Sequence, residues 1–464
     1  MRRAALLPGS AAALGLVVVG LSRLGAGDRP VLATLVLEAA IVAALLPLRF
    51  GLPVAIVLAC FEGTLLDFVG APATYWNEIF VALLVVRAIL RRRPSRLEVG
   101  AASAIALVYA AYAATGTSIL GVAWALEILI LSVLAGWAIV RLPHGERDWH
   151  ASYRALALAL GAGVVVALWQ RLEGTGGLVR LGIPYETRIR NAPDGQLRAF
   201  GGFTSEVPFG FALVLGILWW VTFLLGDERQ RRLALRTAWL PPAAAVGLAL
   251  SLNRTAVIGL CAALLVGAAQ ALRPRASLAL VGAAAAALAI VFAVAAPAAR
   301  FLAGGFSPGS ESANTRRTFW QEYAKDLSAL GAGPGSAGEA YRRSGAAGDD
   351  TTDTPAERVY DRVSHRGTPL AGTSPGVVDN LYLSWLFQYG LLLGTVLCWA
   401  WAVLLLRPLL LPGRSSPLVA ARLWGVFLVV AACAVSVWEE FPTDLLTAIV
   451  LGQGFAASAE SGHA

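Results

Sequence analysis

Four charged residues in the polar stretches between long apolar runs have side chains that suit one chemistry. Arg198, Arg254 and Arg316 carry guanidinium forks, which grip phosphate oxygens in pairs and stay charged at any physiological pH. Asp379 carries a carboxylate that can take a proton from an attacking hydroxyl. Arg254 lies in SLNRTAVIGL, a break of a few residues between two apolar runs, and Asp379 opens the run that follows the long polar stretch from Arg300 to Val378. Each residue type also has a plainer use in such a place. Arginines at the ends of apolar runs anchor to lipid headgroups, and an aspartate before a helix caps it, because the helix N-terminus favours an ionised carboxylate.

The elements that must hold these residues are of membrane length. The 464 residues are 57% hydrophobic and 14% charged, with a mean hydropathy of +0.68, far more apolar than a soluble globular protein. Apolar runs lie near 5–22, 30–48, 51–69, 75–90, 98–115, 119–140, 152–170, 207–225, 235–252, 255–272, 277–299, 379–406, 418–437 and 443–458. A spanning helix needs roughly 20 apolar residues, so the expected fold is all-α, a single polytopic membrane domain over 1–464 with about 12 to 14 spans. Met1, Arg2 and Arg3 before the first run resemble a signal peptide, but no small-residue cleavage site precedes a soluble domain, and a retained first helix is expected. No repeat and no soluble nucleotide- or nucleic-acid-binding pattern is visible.

Charge orders these runs. The formal net charge is +8, nearly all from arginine, since Lys325 is the only lysine. Alternate short loops carry Arg91, Arg92, Arg93 and Arg96, then Arg229, Arg231, Arg232 and Arg236, while the opposite short loops hold only Arg23, Arg29 and Arg254. Positive charge accumulates in cytoplasmic loops, so both termini are expected in the cytoplasm. Two long loops, 171–206 and 300–378, then fall outside. Arg254 faces the side that otherwise avoids arginine, which makes it a functional candidate.

Other residues widen the candidate site. Arg317 adjoins Arg316, and Trp320, Tyr323 and Leu327 repeat at helical spacing, so Asn314–Leu330 is expected to form an amphipathic helix ended by the turn GAGPGS at 331–336. Glu206 and the Trp438, Glu439, Glu440 cluster supply alternative carboxylates at outer mouths. Asp349, Asp350 and Asp353 could ligate a divalent cation but lack the glycine and distal glutamate of a calcium loop. His365 reads as a surface residue, and His144 and His150 fall on the cytoplasmic side. Cys60, Cys261, Cys398 and Cys433 sit in apolar runs and read as core residues, with neither a disulfide framework nor a metal site implied. Glu38, Glu62 and Glu127 lie inside apolar runs, where carboxylates often relay protons or ions. They support an alternative, a polytopic transporter or lipid-linked oligosaccharide flippase.

Five segments, in order, resemble the O-antigen ligase and polymerase superfamily of bacterial envelope glycosyltransferases. They are ALWQRLEG at 167–174, RAFGGFTSEVPFGF at 198–211, SLNRTAVIGL at 251–260, RRTFWQEYAKDLSALGAGPGSA at 316–337, and DNLYLSWLFQYGLLLG at 379–394. The resemblance implies a helical, GT-C-like membrane glycosyltransferase in the bacterial inner membrane, working in surface polysaccharide assembly without a cofactor. Its donor would be an undecaprenyl-pyrophosphate-linked oligosaccharide. An inverting, metal-independent transfer would pass the glycan to a hydroxyl of a glycan or glycolipid acceptor on the extracytoplasmic face. By motif position Arg198, Arg254 and Arg316 would bind the pyrophosphate. The family's ligases place histidine before the Asn of an HN motif, and this chain has Asp379 before Asn380. That departure favours a polymerase over a ligase acting on lipid A core, with Asp379 as the base.

Overall fold

The computed structural model describes residues 29–114, 118–184, 189–192, 195–271, 311–343, 354–365 and 378–461. The expected runs near 5–22 and 277–299, and Asp349, Asp350 and Asp353, lie outside the described residues. The described chain is helical apart from turns and loops, with isolated bridges such as that between Asn191 and Leu197. In chain order the helices are α1 (Arg29–Leu45), α2 (Leu48–Cys60), α3 (Glu62–Phe68), α4 (Trp76–Arg91), α5 (Arg96–Ala114), α6 (Ile119–Arg141), α7 (Glu146–Arg180), α8 (Glu206–Leu224), α9 (Glu228–Arg236), α10 (Leu240–Ser251) and α11 (Arg254–Ala271). The second half supplies α12 (Glu311–Lys325), α13 (Gly338–Arg343), α14 (Pro355–Ser364), α15 (Leu381–Leu410), α16 (Ser416–Ala431) and α17 (Thr443–Ser461).

Six of these helices are long and apolar enough to cross a membrane, or up to eight if each of two bent pairs counts as one span. That coarser number, taken over the described residues, stands beside the 12 to 14 spans expected. The bent pairs correct two expectations of continuous spans. The 51–69 run breaks by 59° between α2 and α3, and the 235–252 run begins only at α10, which meets the basic helix α9 at 51°. The apolar helices pack in pairs, α2 on α7, α6 on α17, α11 on α16 and α8 on α10, around one large core that includes Trp76, Trp149, Trp219 and Trp424.

The run at 379–406 also differs from expectation. It is not one straight helix but a helical hairpin turning at Gly390, whose φ of 78° and ψ of 172° are open only to glycine. Cys398 Sγ lies 3.8 Å from Tyr382 O, and the Trp401 ring sits 6.0 Å from both Tyr382 and Trp385. Residues so far apart in sequence cannot touch along one straight helix, which rises 1.5 Å per residue. Hence Leu381–Tyr389 runs back alongside the segment from Leu391, and Asp379 lies at the far end of the returning arm.

The polar loop has a small core of its own. Phe319 and Tyr323 of α12 pack with Val359 and Val363 of α14 and with Phe387 of the hairpin. The helix α12 ends at Lys325, short of the Leu330 expected. Fully buried Glu322 is paired with Lys325 at 2.6 Å and Arg362 at 3.2 Å, and Arg362 also binds Asp326, so these ions lock α14 onto α12. The GAGPGS segment is a turn as expected, with left-handed Gly331, Gly333 and Gly335. It lies across the hairpin bend: Ala332 N donates to Phe387 O at 2.8 Å, Gly333 N to Gln388 O at 2.9 Å, and Leu391 N to Ser328 O at 2.9 Å. A Cβ on Gly331 would fall 2.3 Å from Gly390 N, so the two glycines let the chains cross.

Candidate functional site

Each of the four charged residues first singled out is delivered by a different element, and a continuous set of hydrogen bonds ties those elements together. Gln170 of α7, almost fully buried, accepts from Phe200 N and Gly201 N at 3.0 Å each and donates to Gly201 O at 2.8 Å. Arg171 adds a bond to Leu197 O at 2.9 Å. The first motif thus holds the strap that carries Arg198. Ala199 N donates to Leu250 O at 3.0 Å, fixing that strap to the end of α10.

Arg254 is set by the turn before it. Leu252 adopts a left-handed conformation, φ 52°, which sharpens the reversal from α10 into α11. Asn253 then serves both sides: its Oδ1 accepts from Ala256 N at 3.0 Å, capping α11, and its Nδ2 donates to Val207 O at 3.2 Å in the first turn of α8. Gly210 leaves room for that amide, since a Cβ there would come within 2.7 Å of Asn253 Nδ2. The N-termini of α8 and α11 are therefore held side by side. Arg254 sits within the electrostatic reach of both Arg198 and Arg316.

Arg316 Nε donates to Asp379 Oδ2 at 3.1 Å, with the two side chains 41% and 40% exposed. An ion pair so open to solvent contributes little to stability, about 0 to 1 kcal/mol, so the pair is better placed to meet a solute than to hold the fold. The capping alternative for Asp379 is excluded, because the cap of α15 is Asn380, whose Oδ1 accepts from Leu383 N at 3.0 Å. Asn380 Nδ2 also donates to Cys433 O at 3.0 Å, Leu381 N to Ala432 O at 3.0 Å, and Ser436 Oγ to Val378 O at 2.7 Å. The backbone on both sides of Asp379 is pinned, which leaves its carboxylate to face Arg316.

Glu206 is buried at the start of α8 and pairs with Arg198 at 3.3 Å. A second arginine reaches the same carboxylate: Arg190, at 3.9 Å, which the sequence reading did not single out. The remaining candidates divide. Arg317 is exposed on α12, and Trp320 is half-buried with its Nε1 lacking a hydrogen-bond partner among the described residues. Glu439 accepts from Ser384 Oγ at 3.1 Å and from Glu339 N at 3.0 Å, bracketing the hairpin to the start of α13. His365 is an exposed residue at the end of α14.

The acids of the transporter alternative meet separate surroundings. Glu38 is exposed, Glu62 is buried and accepts from Trp76 Nε1 at 2.5 Å, and Glu127 pairs with Arg343 of α13 at 3.6 Å. All four cysteines are free, and Cys433 is exposed rather than in the core. Among the described residues no group of three or more His, Cys, Asp or Glu side chains could hold a metal ion.

Chemically, the adjoining N-termini of α8 and α11 carry Arg254 within electrostatic reach of Arg198 and Arg316, and Arg316 pairs with the accessible carboxylate of Asp379. Unsatisfied N–H groups and the dipole at a helix start favour anions, and arginine forks add charge and directionality. The arrangement is able to bind a phosphate-bearing group and to place a base beside it. No known family model matches the chain, and no curated protein is significantly similar to it.

Proposed function

We propose that the chain is an integral-membrane glycosyltransferase of the O-antigen ligase and polymerase type, GT-C-like in architecture and polymerising in activity. Its donor is a polyprenyl-diphosphate-linked glycan, and its acceptor is a hydroxyl of a second glycan on the extracytoplasmic face. The observation that carries this reading is the convergence of Arg198, Arg254 and Arg316 beside Asp379, from segments far apart in sequence.

In this mechanism the acceptor oxygen attacks the anomeric carbon of the donor sugar while its proton passes to Asp379. The carbon–oxygen bond to the nearer phosphate breaks, and its electron pair leaves with the diphosphate. One bond forms on the face opposite the one that breaks, so the configuration inverts. The arginines act where charge grows, on the departing diphosphate, and preorganised cations there lower the barrier most. Arg316 has a second part: its hydrogen bond to Asp379 Oδ2 holds that carboxylate in place until the acceptor arrives.

The test is glycan transfer in detergent, with purified protein and a polyprenyl-diphosphate oligosaccharide as both donor and acceptor. Elongated glycan and free polyprenyl diphosphate should appear together, and chelation of divalent ions should leave the rate unchanged. A transporter or flippase has no compartments to act between in detergent. Absence of any elongated product there, with movement of the lipid only in vesicles, would overturn the proposal.

A further inference from the structure

The basic helix α9 is held firmly on one face and bare on the other. Asp227 caps its start, its Oδ1 accepting from Gln230 N at 2.8 Å. The inner face, Gln230, Leu233 and Ala234, is buried: Gln230 bonds to Ser416 of α16, and Ala234 O accepts from Trp220 Nε1 at 2.9 Å. The helical repeat therefore turns Arg231, Arg232, Leu235 and Arg236 outward, where all four are exposed, Leu235 by 61%. Arg231 and Arg232 both pair with the single carboxylate of Glu228, at 3.9 and 3.2 Å, and ion pairs this open to solvent give way readily to another anion. Keeping a loop in the cytoplasm needs only its positive charge. A capped helix that sets three arginines in a fixed row, with a bare leucine among them, needs a further reason.

Its place in the fold supplies one. The helix α8, long and apolar enough to cross a membrane, ends at Leu224, and α9 follows from Glu228 and meets α10 at 51°. Half-buried Trp220 and Trp239 stand before and after it, and tryptophan is a residue type that collects at membrane surfaces. We infer that the outer face of α9 is a docking surface for anionic phospholipid, whose phosphates meet the arginines while Leu235 enters the acyl boundary beside them. This rests on the membrane placement in the proposed function and not on its transfer chemistry. A soluble anion would use the arginines and leave Leu235 bare, whereas a lipid uses both. Lipid bound here also braces α10, whose Leu250 O holds the strap of Arg198.

The full chain in neutral detergent is titrated with short-chain phosphatidylglycerol, with phosphatidylcholine and with inorganic phosphate, and bound lipid is counted by native mass spectrometry. Wild-type protein should favour phosphatidylglycerol over phosphatidylcholine about tenfold or more, since each basic residue at an anionic surface brings about a fivefold gain. The variant R231Q/R232Q/R236Q, altered only on the exposed face, should lose most of that preference, and L235Q should weaken both lipids alike. R91Q/R92Q/R93Q, which removes equal charge from another exposed arginine cluster, should keep it. Equal losses in the two triple variants would mean a diffuse effect of charge and overturn the docking surface, as would an unchanged preference in the α9 variant. Displacement of phosphatidylglycerol by inorganic phosphate would make α9 a site for soluble anions and overturn it too. If glycan transfer by wild type persists in any of these cases, the inference fails alone. A chain that stays dispersed without detergent would sink the membrane placement, and the proposed function and this inference with it.

Discussion

At the residue scale, Asp379 and Asn380 divide two tasks that one sequence position could have shared. Asn380 caps the hairpin helix, and Asp379 faces Arg316. Under the proposed function, replacing Asp379 with Asn keeps the shape and removes the proposed base, so glycan transfer should fall by about 10²- to 10⁴-fold with the melting temperature nearly unchanged. Replacing Asn380 with Ala should act the other way, costing about 1 kcal/mol of stability through the lost cap. Arg254→Ala and Arg316→Ala should each slow transfer by about 10²- to 10³-fold, the typical loss when one preorganised donor to a developing charge is removed. Single-turnover release of polyprenyl diphosphate measures all four variants on one scale. Wild-type rates for both arginine variants would contradict the clamp.

These residues differ in how far the sequence alone reveals them. Arg254 and Asp379 are legible because a charge at the edge of an apolar run demands a reason. Arg190 is not, since it sits among many arginines in a long loop, and only closure of the hairpin puts it opposite Arg198. The role of Asn380 as cap instead of Asp379 turns on one residue of helix register, which periodicity cannot resolve.

At the element scale, the segments that drew attention in the sequence prove to be one connected frame. Gln170 holds the strap of Arg198, Asn253 ties the starts of α8 and α11, and the glycine turn at 331–336 crosses the bend at Gly390. The bend itself was hidden in the sequence, because the apolar run through 379–406 is unbroken in hydropathy and a lone glycine inside it has many uses. Gly390→Ala tests the frame. A Cβ there would fall 2.3 Å from Ala329 O, in a backbone conformation closed to alanine, so a loss of about 3 kcal/mol or more is expected, along with loss of transfer. A thermal melt matching wild type would mean that the hairpin does not need this glycine.

At the scale of the whole molecule, the helical class was legible from composition, whereas helix breaks were not. Bends such as the 59° angle between α2 and α3 arise from tertiary contacts, among them Thr64 N donating to Gly202 O at 3.1 Å, that hydropathy does not encode. The charge pattern predicts an orientation, in which the α12 face is outside and α9 is in the cytoplasm. In whole cells with the native cysteines replaced, a cysteine at exposed Arg317 should react with a membrane-impermeant maleimide, and one at exposed Arg229 should react only after the cells are opened. The reverse pattern would invert the proposed topology.

The central claim is that the arginine set and Asp379 share one diphosphate-linked sugar. A structure of the protein bound to a non-hydrolysable polyprenyl-diphosphate sugar tests it most directly. Both phosphorus atoms should lie within hydrogen-bonding reach of Arg198, Arg254 and Arg316, with the anomeric carbon turned toward Asp379. A diphosphate bound elsewhere, for instance against Arg343 and Glu127, would contradict the account.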